Sequence, residues 1–283
     1  MPPIWVLSAN LAGQERKDWA VRANLAARIF GDCPCSLAGF QEFGREIDSW
    51  DALGPAHLDL KIYKGIPLDD IYIQPIAYDG QRFEVLERDT FWLSSNGEPV
   101  PASGTEYVRG TSFVLLRDRS VNKVFLFMNS HLDNISTQAR EEGIRLNLEK
   151  IKDVCSVDIP VIYTADSNIS VNSPLERWKD KRSWSDSEMR RPYDMMLGAG
   201  FEDTSVVPYR TDVNPEPERP CTYHGFQGQQ RYQDKGGDGF GTWDPDVILT
   251  RGFKIINSTV VTDGAGGIFP SDHYWIMSLL DYM

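Results

Sequence analysis

Apolar residues come in short runs along this chain, and most of the runs close on a polar cluster. The runs are Ile4 to Ala9, Leu37 to Phe40, Ile71 to Tyr78, Phe83 to Leu86, Thr111 to Leu116, Val124 to Asn129, Pro160 to Thr164, Asp246 to Thr250 and Trp275 to Leu280. Their lengths suit strands, and several are apolar throughout, as strands covered on both faces are. Two segments carry the helical period instead. Glu15 to Phe30 places Trp19, Leu25, Ala26 and Ile29 in an apolar pattern and ends at Gly31. Thr137 to Cys155 places Ile144, Leu148, Ile151 and Cys155 at offsets of four, three and four behind a Ser136 or Thr137 cap. So many strands with helices to cover them predict an α/β fold, a four-layer sandwich of two mixed β-sheets packed face to face with helices outside. No internal repeat or low-complexity linker interrupts the pattern, so residues 1–283 are expected to form a single domain.

Composition narrows the class. With 41% hydrophobic and 25% charged residues the chain reads as an ordinary soluble globular protein. No run approaches the roughly 20 apolar residues that cross a bilayer. The first apolar stretch passes directly into Ser8 and Asn10, which predicts no signal peptide. A processed form would look the same, so a cytoplasmic and a secreted location both stay open. The net charge of -12 argues against a broad basic face for nucleic acid. Carboxylates gathered around a cation would still let an acidic protein engage a phosphate, so nucleic acid stays open as a substrate. Cys33 and Cys35 are too close for an easy mutual bridge, whereas Cys155 and Cys221 either pair or remain structural thiols, the default reading. A monomer is expected.

The chemistry sits at the ends of the apolar runs. In order these deliver Asn10, Gln41-Glu42, Ser130-His131-Leu132-Asp133, Asp166-Ser167-Asn168, Asp246 and Asp272-His273. Carboxylates and amides with two imidazoles and no thiolate describe a hard, oxygen-ligated cation, Mg²⁺ first and Mn²⁺ or Ca²⁺ after it, better than structural zinc. Metal-assisted phosphoester hydrolysis is the reaction class that follows.

The wording and order of these clusters resemble the endonuclease/exonuclease/phosphatase superfamily, whose fold is like that of deoxyribonuclease I. The resemblance runs over nearly the whole chain, from Ser8-Ala9-Asn10 through Phe40-Gln41-Glu42, Asn129-Ser130-His131-Leu132-Asp133 and Thr164-Ala165-Asp166-Ser167-Asn168 to Ser271-Asp272-His273. Phe91-Trp92-Leu93-Ser94 and Thr222-Tyr223-His224-Gly225-Phe226 look like its small hydrolase branch. The resemblance implies Glu42 as principal metal ligand, with Asn10 and Asp272 completing the ion's surroundings directly or through water. It implies Asp166 and Asn168 as the pair that orients or deprotonates the attacking water, and His273 as the phosphoryl-binding or protonating imidazole oriented by Asp246. His131 becomes the second histidine at the phosphate, and Arg109 a cation beside it.

Two positions depart from the pattern. Tyr72 stands where the small hydrolases carry a Glu two places before an Asn-Pro-Ile step, here Gln74-Pro75-Ile76, so Asp70 and Tyr72 are alternative partners for His131. Ala165 and Ser167 replace the family's usual neighbours of Asp166. Outside the motifs, His57 reads as a surface residue, and His224 either lines the pocket or serves its loop. Trp5, Trp92, Trp243 and Trp275 read as packing residues. Ile169 to Asp194, a mixed aromatic and basic stretch, reads as a solvated insertion or a substrate loop, and 210–219 and 236–241 as rims. The favoured substrate is a phosphorylated small molecule or lipid. A nuclease and a non-catalytic module keeping the fold are the alternatives.

Overall fold

The structure is a computed structural model, and it describes residues 2–13, 18–44, 60–69, 71–155, 158–169, 171, 186–209, 219–230 and 243–283. In chain order the strands are β1 (Ile4–Asn10), β2 (Leu37–Gln41), β3 (Phe43–Gly44), β4 (Leu60–Tyr63), β5 (Pro67–Leu68), β6 (Ile71–Tyr72), β7 (Ile76–Asp79), β8 (Phe83–Trp92), β9 (Gly110–Asp118), β10 (Lys123–His131), β11 (Val161–Asp166), β12 (Glu202–Asp203), β13 (Asp246–Arg251), β14 (Phe253–Val261) and β15 (Trp275–Tyr282). The helices are α1 (Trp19–Asp32), α2 (Thr137–Val154) and α3 (Asp186–Gly198).

Two large sheets carry the fold. One runs β14-β15-β1-β2-β7-β4 and the other β12-β13-β11-β10-β9-β8, while β3, β6 and β5 make a small ribbon at one side. Each large sheet is mixed: β1 pairs parallel with β2 across α1, and β10 parallel with β11 across α2, beside antiparallel neighbours. Their facing surfaces bury Val6, Leu37, Ile76, Phe83, Phe125, Phe127, Ile162, Ile248, Phe253 and Ile276 in one core. Helix α1 covers the outer face of the first sheet with Leu25, Ala26, Ile29 and Phe30 against Ala9, Phe40 and Trp275. On the second sheet, Ile144 and Ile151 of α2 and Tyr193 and Met196 of α3 close the outer face against Leu126, Met128 and Tyr163. The expected four-layer sandwich is what these residues build.

One polar seam crosses between the sheets. Asn129 on β10 donates to the carbonyls of Phe40 and Pro75 at 2.8 and 3.0 Å, and its oxygen accepts from Gln41 at 2.7 Å and Thr164 at 3.1 Å. Gly39 on β2 makes room for it, since a Cβ there would lie 2.1 Å from the Thr164 hydroxyl. Below the seam the core is apolar; above it, both sheets end in a polar cluster.

Several boundaries differ from the sequence pattern. The Ile71 to Tyr78 run is two strands, because Gln74 takes a φ of 46° and Pro75 has no N–H to give a ladder. The first helix continues through Gly31 and closes at Cys33, whose N–H reaches the carbonyls of Ile29 and Phe30. Residues 15–17 of the expected helix lie outside the described residues. Ser136 caps α2 as expected, accepting from Ala139 N at 3.2 Å. Strand β14 and helix α3 were not anticipated: the C-terminal part of the supposed loop from Ile169 is helical, burying Met189, Tyr193 and Met196. Its residues 170 and 172–185, like most of 210–219, all of 236–241, Asp70 and His57, lie outside the described residues. All four cysteines are thiols, so no bridge joins Cys155 to Cys221.

Candidate active site

The two parallel strand pairs end at the same rim, which places their last residues side by side. Asn10 lies opposite Gln41 across β1 and β2, His131 opposite Asp166 across β10 and β11, and Asp166 opposite Asp246 across β11 and β13. The segment leading into β15 brings in Asp272 and His273, the latter bridged to Tyr223. Clefts at the carboxyl ends of parallel strands are the ordinary ligand sites of such sheets.

Asp166 is the hub. Asn10 Nδ2 donates to its Oδ2 at 2.9 Å, and the Asn168 N–H donates to its Oδ1 at 3.1 Å. The same Oδ2 lies 3.5 Å from His131 Nε2 and 3.8 Å from His273 Nε2. Asn10 is fixed in turn, because its oxygen accepts the Ala12 N–H at 2.8 Å and its carbonyl accepts Trp275 Nε1 at 3.1 Å. Asn168 holds φ 50° and donates its amide to the Leu132 carbonyl at 3.1 Å, tying the ends of β10 and β11 together.

The two imidazoles differ in charge. Burial works against protonation of His273, but Asp246, Asp272 and Asp166 outweigh it and hold the ring's pKa well above its ordinary value. Asp246 Oδ2 accepts from its Nδ1 at 2.8 Å. His131 is pushed down to about 3, first by burial and then by the neighbouring Arg109 cation, against the pull of Asp166. At neutral pH the site therefore holds a charged His273 and a neutral His131 on either side of one carboxylate. The facing partner of His131 is Asp166; Tyr72 lies in the side ribbon, its ring against Phe43 and under Lys64.

Glu42 sits just past β2 in a left-handed conformation, φ 50°, uncommon for a residue with a side chain and characteristic of functional turns. Its carbonyl accepts the Gly13 N–H at 2.9 Å, an approach so close that a Cβ on Gly13 would lie 2.4 Å from that oxygen. Burial and the carboxylates of Asp272 and Asp166 raise its pKa to about 7, with His273 and Arg109 opposing. The carboxylates of Glu42 and Asp166 and a nitrogen of His131 come within 4.8 Å of one another, as do those of Asp166, Asp246 and His273. Such crowding of like charge is relieved by a cation, and the carboxylate oxygens suit a hard divalent one. Arg109 supplies the opposite need. Its Nη2 donates to Asn134 at 3.3 Å and its guanidinium lies 5.4 Å from the exposed Tyr107 ring, but among the described residues its buried Nε–H has no acceptor. A buried orphan donor on a cation fits an anion.

All nine predicted site residues thus meet at this rim. His224 is not one of the cleft groups: it is fully buried, against Tyr274 and Phe269, and its N–H holds the Asp272 carbonyl at 2.8 Å. Three contributors were not anticipated. Ser271 Oγ accepts the His273 N–H at 3.1 Å. Arg22 of α1, between the rings of Trp19 and Phe226, donates to the carbonyls of Ala12 at 3.2 Å and Pro270 at 3.1 Å, joining the loops that carry Asn10 and Asp272. Arg219 lies under Asp246.

No family model matches the sequence, and no curated protein is detectably similar to it. Solved structures are similar. An endonuclease/exonuclease/phosphatase from Bacteroides vulgatus superposes with a TM-score of 0.77 at 17% identity, covering 100% of both chains. A mannosyl-6-phosphatase from Bacteroides thetaiotaomicron gives 0.74 at 22% identity over 99% of this chain and 100% of its own. TDP2 from D. rerio, complexed with single strand DNA product, gives 0.72 at 18% identity with the same coverage. This chain has the deoxyribonuclease-I-like fold of the endonuclease/exonuclease/phosphatase proteins, as its motifs imply.

Proposed function

We propose that residues 1–283 form one catalytic domain, a divalent-metal-dependent phosphoester hydrolase acting, as a monomer, on a small or lipid-type organic phosphate. Glu42 and Asp272 would hold the ion, Mg²⁺ by preference, with Asn10 completing its surroundings directly or through water. When bound, the ion acts as a Lewis acid on the phosphate oxygens and relieves the carboxylate crowding. Arg109 offers to the same anion its Nε–H, which has no acceptor among the described residues. Asp166, directed by Asn10 and Asn168, is placed to take a proton from water. His273 holds a proton it can give to the leaving oxygen, and Asp246 keeps that proton available. Neutral His131 donates a hydrogen bond to a phosphate oxygen without competing for protons at neutral pH.

The observation that carries this reading is the geometry around Asp166, whose Oδ2 faces His131 Nε2 at 3.5 Å and His273 Nε2 at 3.8 Å while Asp246 holds the other nitrogen of His273 at 2.8 Å. One carboxylate between two imidazoles gives the three groups separate tasks, Asp166 as base, His273 as acid and His131 as hydrogen-bond donor. The likeness to a mannosyl-6-phosphatase supports a phosphomonoester, and the charge of -12 weighs against a long anionic polymer.

A nuclease is the second reading, favoured by the likeness to a protein complexed with single strand DNA product. The two separate in one experiment, with Mg²⁺, supercoiled plasmid and a panel of phosphomonoesters side by side. Phosphate release with intact plasmid supports the first reading; nicking abolished by Glu42→Ala and His273→Ala replaces it with the second.

A further inference from the structure

Asp246 owes its position to its backbone more than to its own carboxylate. Oδ2 meets His273, but among the described residues the buried Oδ1 has no partner, so side-chain contacts alone do not fix its direction. Every main-chain carbonyl around it is held. Ser167, next to Asp166, donates its N–H at 2.8 Å and its hydroxyl at 2.5 Å to the Pro245 carbonyl. Arg219 takes the two flanking ones, through Nη1 to the Asp244 carbonyl at 2.6 Å and Nη2 to the Asp246 carbonyl at 2.5 Å. Its side chain is only 1% exposed and is itself anchored, with Nη1 2.8 Å from the Asp244 carboxylate and Nε 2.7 Å from Asp203 Oδ2. Tyr193 of α3 donates to the same Asp203 oxygen at 2.8 Å.

We propose that Arg219 is a positioning residue that clamps the Asp244-Pro245-Asp246 backbone so that the Asp246 carboxylate meets His273 Nδ1. The proposal rests on the reading of Asp246 and His273 given above. Two carboxylates already occupy the guanidinium, so its charge is spent away from the Asp246 carboxylate, which keeps its own charge for His273. The clamp needs a planar fork that spans two carbonyls while facing two acids, a geometry a lysine ammonium does not have.

The test is a double-mutant cycle on Arg219→Lys and Asp246→Asn, with p-nitrophenyl phosphate and Mg²⁺ as the assay and histidine-labelled protein for NMR. Arg219→Lys alone is expected to lower kcat by about tenfold with KM within about twofold, and in the Asp246→Asn background to cost under about twofold. The solvent-protected His273 Nδ1–H resonance, assigned by its loss in Asp246→Asn, should exchange faster in Arg219→Lys. Equal losses in both backgrounds with an unchanged resonance overturn the clamp and leave the chemistry standing. An Asp246→Asn protein with full turnover and an unchanged ring proton sinks the parent reading and the clamp with it. Should Arg219→Lys not fold, Asp203→Asn loosens the far anchor and leaves both carbonyl contacts. A coupling to Asp246 of about threefold or more then supports the clamp, and independence overturns it.

Discussion

Glu42 shows how much a single residue's surroundings decide. A carboxylate in water would be ionised well below neutrality, yet here burial and two facing acids bring it up to about 7. With Glu42 as the proposed metal ligand, binding would expel a proton below that pH, and Mg²⁺ affinity measured by calorimetry should weaken by nearly tenfold per unit as pH falls from 7 to 5. Stability carries the opposite signature. A folded-state pKa above the unfolded value means that the native protein binds more protons in between, so this group's contribution is intact below about 4.5 and is lost as pH rises through about 7. Metal-free Glu42→Gln should accordingly be more stable than wild type at pH 8, by on the order of 1 kcal/mol in urea titration, with the difference vanishing near pH 4. No difference at pH 8 would show that the carboxylate is not under strain. The motif residues were legible because short polar groups at the ends of apolar runs have few other uses when several occur in order. Arg22 and Arg219 were not, since a buried arginine is placed by carbonyls far away in sequence; Pro270, which Arg22 holds, is 248 positions distant.

Among the elements, the strands buried on both faces were the readable ones. β1, β2, β11 and β13 are buried almost throughout, and their short apolar runs could describe little else. β14 escaped because it is a sheet edge with alternation interrupted by a register shift between Ile255 and Asn257, leaving mixed polar and β-branched residues. Helix α3 was hidden by Pro192 and by charges on its outer face, although Met189, Tyr193 and Met196 recur at helical offsets of four and three. Two substitutions test how elements hold the site. Ser136→Ala removes the α2 cap and should cost about 1 kcal/mol with turnover preserved. Gly39→Ala drives a methyl into Thr164 and Asn129, breaking the seam between the sheets, and should cost about 3 kcal/mol or more in denaturant unfolding. A Gly39→Ala protein as stable as wild type would mean that the sheets do not approach so closely.

At the scale of the whole molecule, two β-α-β units set side by side in separate sheets deliver their strand ends to one rim. The layered architecture was legible because strand number and helix placement left few ways to bury every apolar face. The side-by-side placement of Asn10, Glu42, Asp166 and His273 came from the resemblance and not from the periodicity, which says nothing of how two sheets are registered. Among the described residues no helix is long and apolar enough to cross a membrane. If the rim is a metal-dependent phosphoester hydrolase centre, as proposed, the direct measurement is phosphate release across sugar phosphates, inositol phosphates, lipid phosphates and nucleotides, with Mg²⁺ and with chelator. Turnover of at least one ester is expected, stopping with chelator and falling by about a hundredfold or more in Glu42→Ala and in His273→Ala. Wild-type protein that binds Mg²⁺ and releases phosphate from none of them, or turnover that survives chelator and both substitutions, would contradict it.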